Sequence, residues 1–482
     1  MEWIEKTNEG NLGGKMNNKN IFRIFFKYVS FNVLGQLAYS CYTLADTFFI
    51  SANLGTNGLA ALNLAFPVFC FINGTGLMIG MGGGTKYSIL KSQAEYGRAN
   101  KVFTNSVYLI GGFAAIFVLL GVFFSGVIVR LLGADDTIFS MTNTYLRAML
   151  LFSPAFLTNN LLQCFVRNDG APSLSMAAMI TGSLSNVVLD YIFIFPLKMG
   201  ILGAILATGM APIISIIVLS AYFIRKNHQF HFTKGAPNSK RTLGILSSGI
   251  PAFITEASSG IVMVIFNFII LRLEKNTGVA AYGVIAAISL VVTAIYTGLS
   301  QGIQPLISQN YGMGNTANVK SILRYALSTM FLLSGVIYLV VFFCASPIAS
   351  VFNSEQNEML QRMAVIGLKL YFIACPFVGF NIVISTYFTS IEHPRPAHVI
   401  SLLRGFFVVI PMAFLLSAIL KMIGVWCAFP ITELIVAVVG VVLYLAEEGV
   451  QRLQNRKIMY GTVNEGAITL NRNDYKRRED TE

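Results

Sequence analysis

The stretch RNDGAPSLSMAAMITGSLSNVVLDYIFIF at residues 167–195, followed by MGILGAILAT at 199–208, decides the fold class of this chain. From Pro172 to Phe195 it is predominantly apolar, which is long enough to cross a bilayer as a helix. Asp190 is the only charged residue in that run. An ionised side chain near the bilayer centre costs at least about 2.5 kcal/mol, so a carboxylate kept there indicates a functional position.

Composition extends this interpretation to the whole chain. Of 482 residues, 55% are hydrophobic and 12% are charged, and the mean hydropathy is +0.66. A soluble domain carries about 25% charged residues, so a single soluble core is excluded. The segment from Met1 to Asn20 is polar and lacks the apolar region of a secretory signal.

The sequence contains no legible catalytic or metal-binding set. The six cysteines share no CxxC spacing, so neither a zinc site nor a disulfide framework is indicated. Four histidines and no recognisable Ser/His/Asp arrangement give an enzyme little support. The glycine-rich segment IGMGGGTKYSI at 79–89 lacks the spacing of a phosphate-binding loop, and we expect its small residues to allow close helix packing. We therefore expect no enzyme, no cofactor and no resident metal beyond a bound Na⁺.

Apolar runs between charged or turn-rich breaks predict an all-α membrane protein with twelve transmembrane helices. The predicted spans are 24–50, 59–85, 102–129, 139–163, 171–195, 202–224, 243–271, 279–307, 321–344, 359–388, 398–418 and 425–446. The predicted domains are a segment 1–23, an N-lobe 24–224, a linker 225–242, a C-lobe 243–446 and a charged tail 447–482. We expect that tail to be a short helix with a disordered end.

The positions of lysine and arginine predict the orientation. With the termini and the 225–242 linker on one side, that side carries 25 of the 34 basic residues, Arg167 among them, and the other side carries five. Such a bias favours termini in the cytoplasm, in a cell membrane. It also explains the net charge of +12 without a nucleic-acid partner.

The two predicted lobes repeat each other. NGLAA at 57–61 parallels TGVAA at 277–281, an offset of 220, and MGILGAILAT at 199–208 parallels IGVWCAFPIT at 423–432, an offset of 224. Six spans per unit is an even number, so both units enter the membrane in the same sense. The sequence therefore predicts parallel repeats that enclose a central cleft.

Four acids fall deep within the predicted spans, and two of them form a candidate site. Asp46 and Asp190 lie at similar depth in the N-lobe, and Asn186 shares a helical face with Asp190. Two carboxylates in one poorly solvated place repel each other, so they favour a shared proton or a hard cation. The hydroxyl of Thr208 lies at the same depth. The alternative is that both acids are helix-end residues.

The other two deep acids are Glu256 and Glu433. Glu256 is either a second coupling site, a partner for a cationic substrate or a carboxyl group hydrogen-bonded between helices. For Glu433 we expect a structural ion pair with Arg404 or Lys369. Arg147 has no partner that the sequence identifies.

These residues resemble the multidrug and toxic compound extrusion (MATE) family of secondary transporters, prokaryotic type. The resemblance covers roughly residues 24–446 and rests on LADTFFISANLG at 44–55, the opening stretch at 167–208, GIPAFITEASSG at 249–260 and QGIQPLISQNYGMGN at 301–315. It implies two six-helix bundles around a V-shaped cleft. It also implies export of amphipathic, often cationic compounds by H⁺ or Na⁺ antiport.

The resemblance also implies roles for individual residues. Asp46, Asn186, Asp190 and Thr208 match an amino-lobe cation or proton site. Glu256 matches a seventh-helix acid implicated in coupling in some members. The candidate coupling or substrate-binding residues are Glu256, Tyr42 and Gln36. The eighth span, 279–307, lacks the acid that some members have, which makes a carboxy-lobe cation site of that kind doubtful. The expected partners are small amphipathic molecules and the lipid bilayer, and the expected state is a monomer. The alternatives are a flippase for lipid-linked precursors, a membrane-embedded enzyme and a passive channel.

Overall fold

The computed structural model describes residues 18–224, 228–353 and 356–479, and the elements in these ranges are helices without a strand. Nine of the helices are long and apolar enough to cross a membrane, and a bent pair makes a tenth. Two of these ten are each divided into two helices by a non-helical residue, at Gly55 and at Lys421. The described chain therefore contains the twelve membrane helices that the sequence predicts.

The helices extend a few residues beyond most predicted spans. In the first half, α1 and α2 share Asn18–Ser92 and meet at Gly55, and the others are α3 (Tyr96–Phe123), α4 (Asp136–Leu151 and Ser153–Asn168, bent by 46°), α5 (Pro172–Ile194) and α6 (Gly200–Ile224). In the second half they are α7 (Ser239–Lys275), α8 (Thr277–Gly312), α9 (Thr316–Phe343), α10 (Glu358–Ser390), and α11 and α12, which share Pro394–Gly449 and meet at Lys421. We call the end of the bundle where α2 ends and α7 begins the linker end, and the opposite end the far end.

The two halves repeat each other in the positions of their backbone breaks. The break between α1 and α2 at Gly55 and the break between α7 and α8 at Lys275 both have positive φ, 63° and 53°, and their offset is 220. Four further pairs of positive-φ residues keep an offset of 220 to 223: Ala94 with Gly314, Gly133 with Gln356, Gly170 with Glu392, and Lys198 with Lys421. The predicted internal repeat is therefore present in the backbone.

The hydrophobic cores of the two halves are linked across the linker end. One core consists mainly of residues from the end of α1, including Ile50, to α6, and the other mainly of residues from α7–α12. The start of α1 is an exception, because Phe25 and Val29 pack into the second core, and Ile245 of α7 packs into the first. These exchanges hold the halves together where the chain passes between them.

The linker is ordered and packs along α3, whereas the sequence predicted only a polar connection over 225–242. The backbone N–H groups of His231, Thr233 and Asn238 donate to side chains of α3, at 3.1, 2.9 and 2.9 Å. Phe230 is fully buried among aromatic rings, including that of Phe103 at 4.7 Å. Residues 225–227 of the predicted linker lie outside the described residues.

Both predicted terminal segments differ from the structure. α1 begins at Asn18, inside the predicted segment 1–23, of which residues 1–17 lie outside the described part of the chain. The helix that includes α12 continues to Glu479, so the predicted disordered end is wrong for most of 447–482; residues 480–482 are outside the described residues. The tail has no proline, and its many Lys, Arg, Glu and Gln residues favour helix once a preceding helix has nucleated it.

Candidate functional site

Helices α1, α5 and α6 bring the four predicted N-lobe residues together. Asp190 and Asn186 are fully buried on one face of α5, and Asp46 of α1 and Thr208 of α6 are each 6% exposed. Gly182 allows α5 to approach α6 closely, since a Cβ there would lie 3.2 Å from the Ala211 carbonyl oxygen. Asp46 lies well before the break at Gly55, so the helix-end alternative is wrong for it. Asp190 lies one turn before the end of α5 at Ile194, but it is fully buried inside the bundle.

Asn186 is the polar link between α5 and α6. With its amide oriented to satisfy both neighbours, Nδ2 donates to Asp190 Oδ2 at 3.0 Å, and Oδ1 accepts from the Thr208 backbone N–H at 3.2 Å. Pro212 has no N–H, so the Thr208 carbonyl oxygen also lacks its usual helical donor. Oxygen atoms are the ligands that hard cations and protons require, and the site is rich in them.

The two carboxyl groups of this site lie within hydrogen-bonding range of each other. One oxygen of each, Oδ1 of Asp46 and Oδ1 of Asp190, is buried without a hydrogen-bond partner. In the described part of the chain neither acid forms a salt bridge with a lysine, arginine or histidine. Two adjacent buried carboxylates are unstable as a doubly charged pair, so the pair requires a proton or a cation from outside the protein.

Two tyrosines complete the surroundings of the acid pair. Tyr42 lies one turn before Asp46 on α1, is close to both acids and packs edge-on against Tyr39 with ring centroids 5.0 Å apart. Tyr145 of α4 is 2% exposed, and its hydroxyl lies close to Thr208 and to both acids. The sequence reasoning missed Tyr145, because nothing near it in the chain distinguishes it from a packing tyrosine.

Gln36 and Glu256 lie apart from the acid pair, at the contact between the halves. Gln36 Nε2 donates to Gln301 Oε1 of α8 at 3.2 Å. Glu256 of α7 accepts from Asn73 Nδ2 of α2 at 3.1 Å, and Asn160 of α4 donates to Asn73 Oδ1 at 2.8 Å. Of the three interpretations of Glu256, this geometry fits a carboxyl group that is hydrogen-bonded between helices.

Arg167 is the largest departure from the sequence analysis, which counted it as a charge outside the spans. It is 1% exposed at the end of α4, where its guanidinium donates to Asn32 Oδ1 at 3.1 Å and to Gln301 Oε1 at 2.8 Å. The structure describes no carboxylate salt bridge for it. A buried guanidinium with neutral partners joins α1, α4 and α8 at the linker end.

The glycine-rich segment 79–89 packs closely against its neighbours, as the sequence predicted. A Cβ at Gly82 would overlap the Ile245 carbonyl oxygen of α7, and a Cβ at Gly249 would overlap the Met78 carbonyl oxygen of α2. Gln304 Nε2 of α8 also donates to Thr85 at 2.9 Å. The described hydrogen bonds between the halves thus extend from mid-bundle to the linker end.

In the corresponding region of the second half, a buried acid is paired with an arginine of the same half. Glu433 of α12 is fully buried and pairs with Arg404 Nε at 2.5 Å, and Asn381 Nδ2 donates to it at 2.8 Å. Arg404 lies in a π-helical turn of α11, Leu403–Phe407. The predicted ion pair is confirmed with Arg404; Lys369 instead lies 4.7 Å from the centre of the Phe342 ring.

Known proteins match this chain over most of its length. Multidrug export protein MepA of Staphylococcus saprophyticus is 26% identical over 421 residues, which cover 86% of this chain and 92% of that protein. MepA of Staphylococcus aureus is also 26% identical, over 89% of this chain and 94% of its own length.

Solved structures give the same fold. The outward-facing conformation of a multidrug resistance MATE family transporter of the MOP superfamily has a TM-score of 0.83 at 21% identity, covering 89% of this chain and 96% of that one. A MOP superfamily transporter from Pyrococcus furiosus has a TM-score of 0.81 at 22% identity, covering 86% and 93%. The MatE family model matches residues 33–192 and 251–415, one segment in each half. The chain therefore belongs to the MatE family and is a MATE family transporter.

Proposed function

We propose that this protein is a secondary active antiporter that exports amphipathic or cationic drugs in exchange for H⁺ or Na⁺. The observation that carries the proposal is the buried Asp46–Asp190 pair, which has two unpartnered oxygens and no salt bridge among the described residues. Relatives of similar length are named multidrug export proteins, which supports drugs as the cargo.

The proposed role of the acid pair is to make cation binding and helix packing depend on each other. A proton or Na⁺ between Asp46 and Asp190 removes their repulsion, and Asn186 and Thr208 hold the acid of α5 against α6. Without the cation the carboxylates repel, and α1 and α5 repack. A cation moving down the membrane potential gains about 2.3 kcal/mol per charge per 100 mV, which is available to drive the drug outward.

The proposed transport cycle is alternating access. The hydrogen bonds between the halves from mid-bundle to the linker end close that end in the present state, and Arg167 with Asn32 and Gln301 forms part of this closure. In the other state these neutral contacts separate and a central cleft opens towards the linker end. Neutral hydrogen bonds suit such a contact, because each contributes only about 0.5–1.5 kcal/mol net and can be exchanged for water.

The proposed location is the cell membrane, with the linker end and both termini in the cytoplasm and the protein as a monomer. The bias of lysine and arginine towards that end supports the orientation. The flippase alternative is not favoured, because the named relatives are drug exporters and the second half pairs Arg404 internally rather than presenting it to an anionic cargo.

Drug accumulation in cells tests the proposal. Asp190→Asn removes one carboxylate while keeping the shape of the side chain, and we expect accumulation of a cationic dye such as ethidium to rise to the level of cells without the protein. Asp136→Asn, at an exposed carboxylate of the far end, is the matched control and should leave efflux unchanged. Full efflux by Asp190→Asn at equal protein abundance would sink the proposed role of the pair.

A further inference from the structure

A cleft of about 390 Å³ opens at the linker end, between the two halves and away from the acid pair. It is formed by the end of α2, the start of α3, the start of α7 and the turn between α10 and α11. The lining residues are Lys86, Ile89, Leu90, Gln93, Arg98, Val102, Lys240, Arg241 and Glu392. Ligand sites typically occupy about 300–1,000 Å³, so the cleft is large enough for a small ligand.

The charge of this cleft is strongly positive. Four of the lining residues are cations and only Glu392 is an acid. Lys86 pairs with Glu392 at 3.0 Å, and Arg98 pairs with Glu95 at 2.8 Å. Lys240 and Arg241 form no ion pair among the described residues, so within that part of the chain two cations face the cleft without a countercharge.

Two helix N-termini add to the positive potential of the cleft. α3 begins at Tyr96 and places Arg98 in its first turn, and α7 begins at Ser239 and places Lys240 and Arg241 in its first turn. Neither first turn contains an acid, but Glu95 is the N-cap residue of α3, and at the start of α7 the Asn238 side chain accepts from the Arg241 backbone N–H at 3.1 Å. Cations at the positive end of the helix dipole are unfavourable, and an anion there is stabilised by both the dipole and the side chains.

The shape of the cleft distinguishes it from a general excess of basic residues at one membrane face. An excess that only sets topology requires no concave surface, whereas here the cations surround a concavity with an apolar wall of Ile89, Leu90 and Val102. Its lining also comes from both halves, with Lys86 and Arg98 from the first and Lys240 and Arg241 from the second. A ligand here would bridge the halves at the end where they are closed.

We propose that this cleft binds a phosphate-bearing anion, supplied either as the headgroup of an acidic phospholipid or as free phosphate, and that the anion bridges the two halves. Lysine and arginine in this number match the charge and hydrogen-bonding capacity of a phosphate group. The apolar wall accommodates the glycerol and first methylenes of a lipid. Occupancy stabilises the arrangement in which the linker end is closed.

The test measures thermal unfolding of the purified full-length protein in a neutral detergent. Three additions are compared: dioctanoyl phosphatidylglycerol, dioctanoyl phosphatidylcholine and inorganic phosphate. We expect an anionic addition to raise the Tm of the wild type and phosphatidylcholine not to. Lys240→Gln/Arg241→Gln should weaken the apparent affinity at least about tenfold, since two charge-assisted contacts are lost. Lys101→Gln/Arg324→Gln removes two cations from the same end outside the cleft and should keep the wild-type response.

A variant that is expected to bind the anion more tightly distinguishes binding in the cleft from general effects of charge or folding. Glu392→Gln removes the one acid of the cleft and releases Lys86, so it should strengthen binding. Arg98→Gln, in the other half, should weaken binding as the α7 variant does. A response to phosphatidylglycerol alone identifies a lipid headgroup, and an equal response to inorganic phosphate identifies a free anion. An absent response in the wild type, or equal losses in the cleft variant and its control, would overturn the proposal.

Discussion

The buried ion pair of the second half gives a sharp prediction about stability. Arg404→Met leaves the Glu433 carboxylate fully buried with Asn381 as its remaining described side-chain donor. Removing one partner of a buried ion pair typically costs about 3–5 kcal/mol, because the other charge stays buried and uncompensated. Because 15% of the Arg404 side chain is exposed, we expect the loss in unfolding free energy to lie near the lower end of this range.

The chain supplies a matched control for this substitution. Arg130 pairs with Asp136 at 2.6 Å, nearly the same distance, but the two side chains are 51% and 92% exposed. Arg130→Met should therefore cost at most about 1 kcal/mol, as exposed ion pairs do. The double variant Arg404→Met/Glu433→Leu removes both charges and should recover most of the loss, because an apolar pair needs no desolvation.

The assay is SDS-induced unfolding in mixed micelles, followed by tryptophan fluorescence. Trp426 is buried on α12, two turns from Glu433, and so reports on the half of the protein that is perturbed. A loss for Arg404→Met no larger than that for Arg130→Met would show that Arg404 does not compensate a buried charge. So would a double variant that is as unstable as the single one.

Two further predictions concern the acid pair and the contact between halves. Tyr145→Phe removes the hydroxyl that faces the acid pair, and the loss of about 0.5–1.5 kcal/mol should raise the Na⁺ or H⁺ concentration for half-maximal efflux about 2- to 10-fold. Tyr296→Phe, which removes a hydroxyl bonded within the second half, should not change that concentration, and an equal shift in both would contradict the assignment. Gly249→Ala places a methyl group against the Met78 carbonyl oxygen and should lower the Tm by several degrees in a thermal shift assay. Gly283→Ala has open space around its Cβ and should keep the wild-type Tm; a tolerated Gly249→Ala would contradict the close packing of α2 on α7.

The features that the sequence predicted are those with a local signal. Hydrophobic length identifies each membrane helix, and a carboxylate inside such a run is visible without any knowledge of its neighbours. Asn186 and Asp190 are one helical turn apart, so their shared face follows from the helical period alone. Their contact with Asp46, on a different helix far away in the chain, required the added inference that both lie at one depth.

The features that the sequence did not predict depend on contacts between distant residues. Arg167 looks like an ordinary cytoplasmic arginine until α4 packs on α1 and α8, which supply Asn32 and Gln301. Tyr145 joins the acid pair only because α4 packs beside α6. Phe230 gives a polar linker a buried anchor that its composition conceals.

The two halves also differ in a way that the repeat alone could not reveal. Their backbone breaks keep an offset of 220 to 223, so the fold is duplicated. The first half buries two acids without a described salt bridge, whereas the second half buries Glu433 with Arg404 in place. We infer that cation exchange belongs to the first half and that the second half has a permanent internal cation instead.

Dye transport in proteoliposomes tests whether the Asp46–Asp190 pair couples a cation gradient to export. The purified protein is reconstituted, and efflux of ethidium is measured under a Na⁺ gradient alone and a pH gradient alone. We expect at least one gradient to drive transport and both Asp46→Asn and Asp190→Asn to abolish it, while Asp136→Asn does not. If gradient-driven transport survives both substitutions, the acid pair does not couple the cation to export.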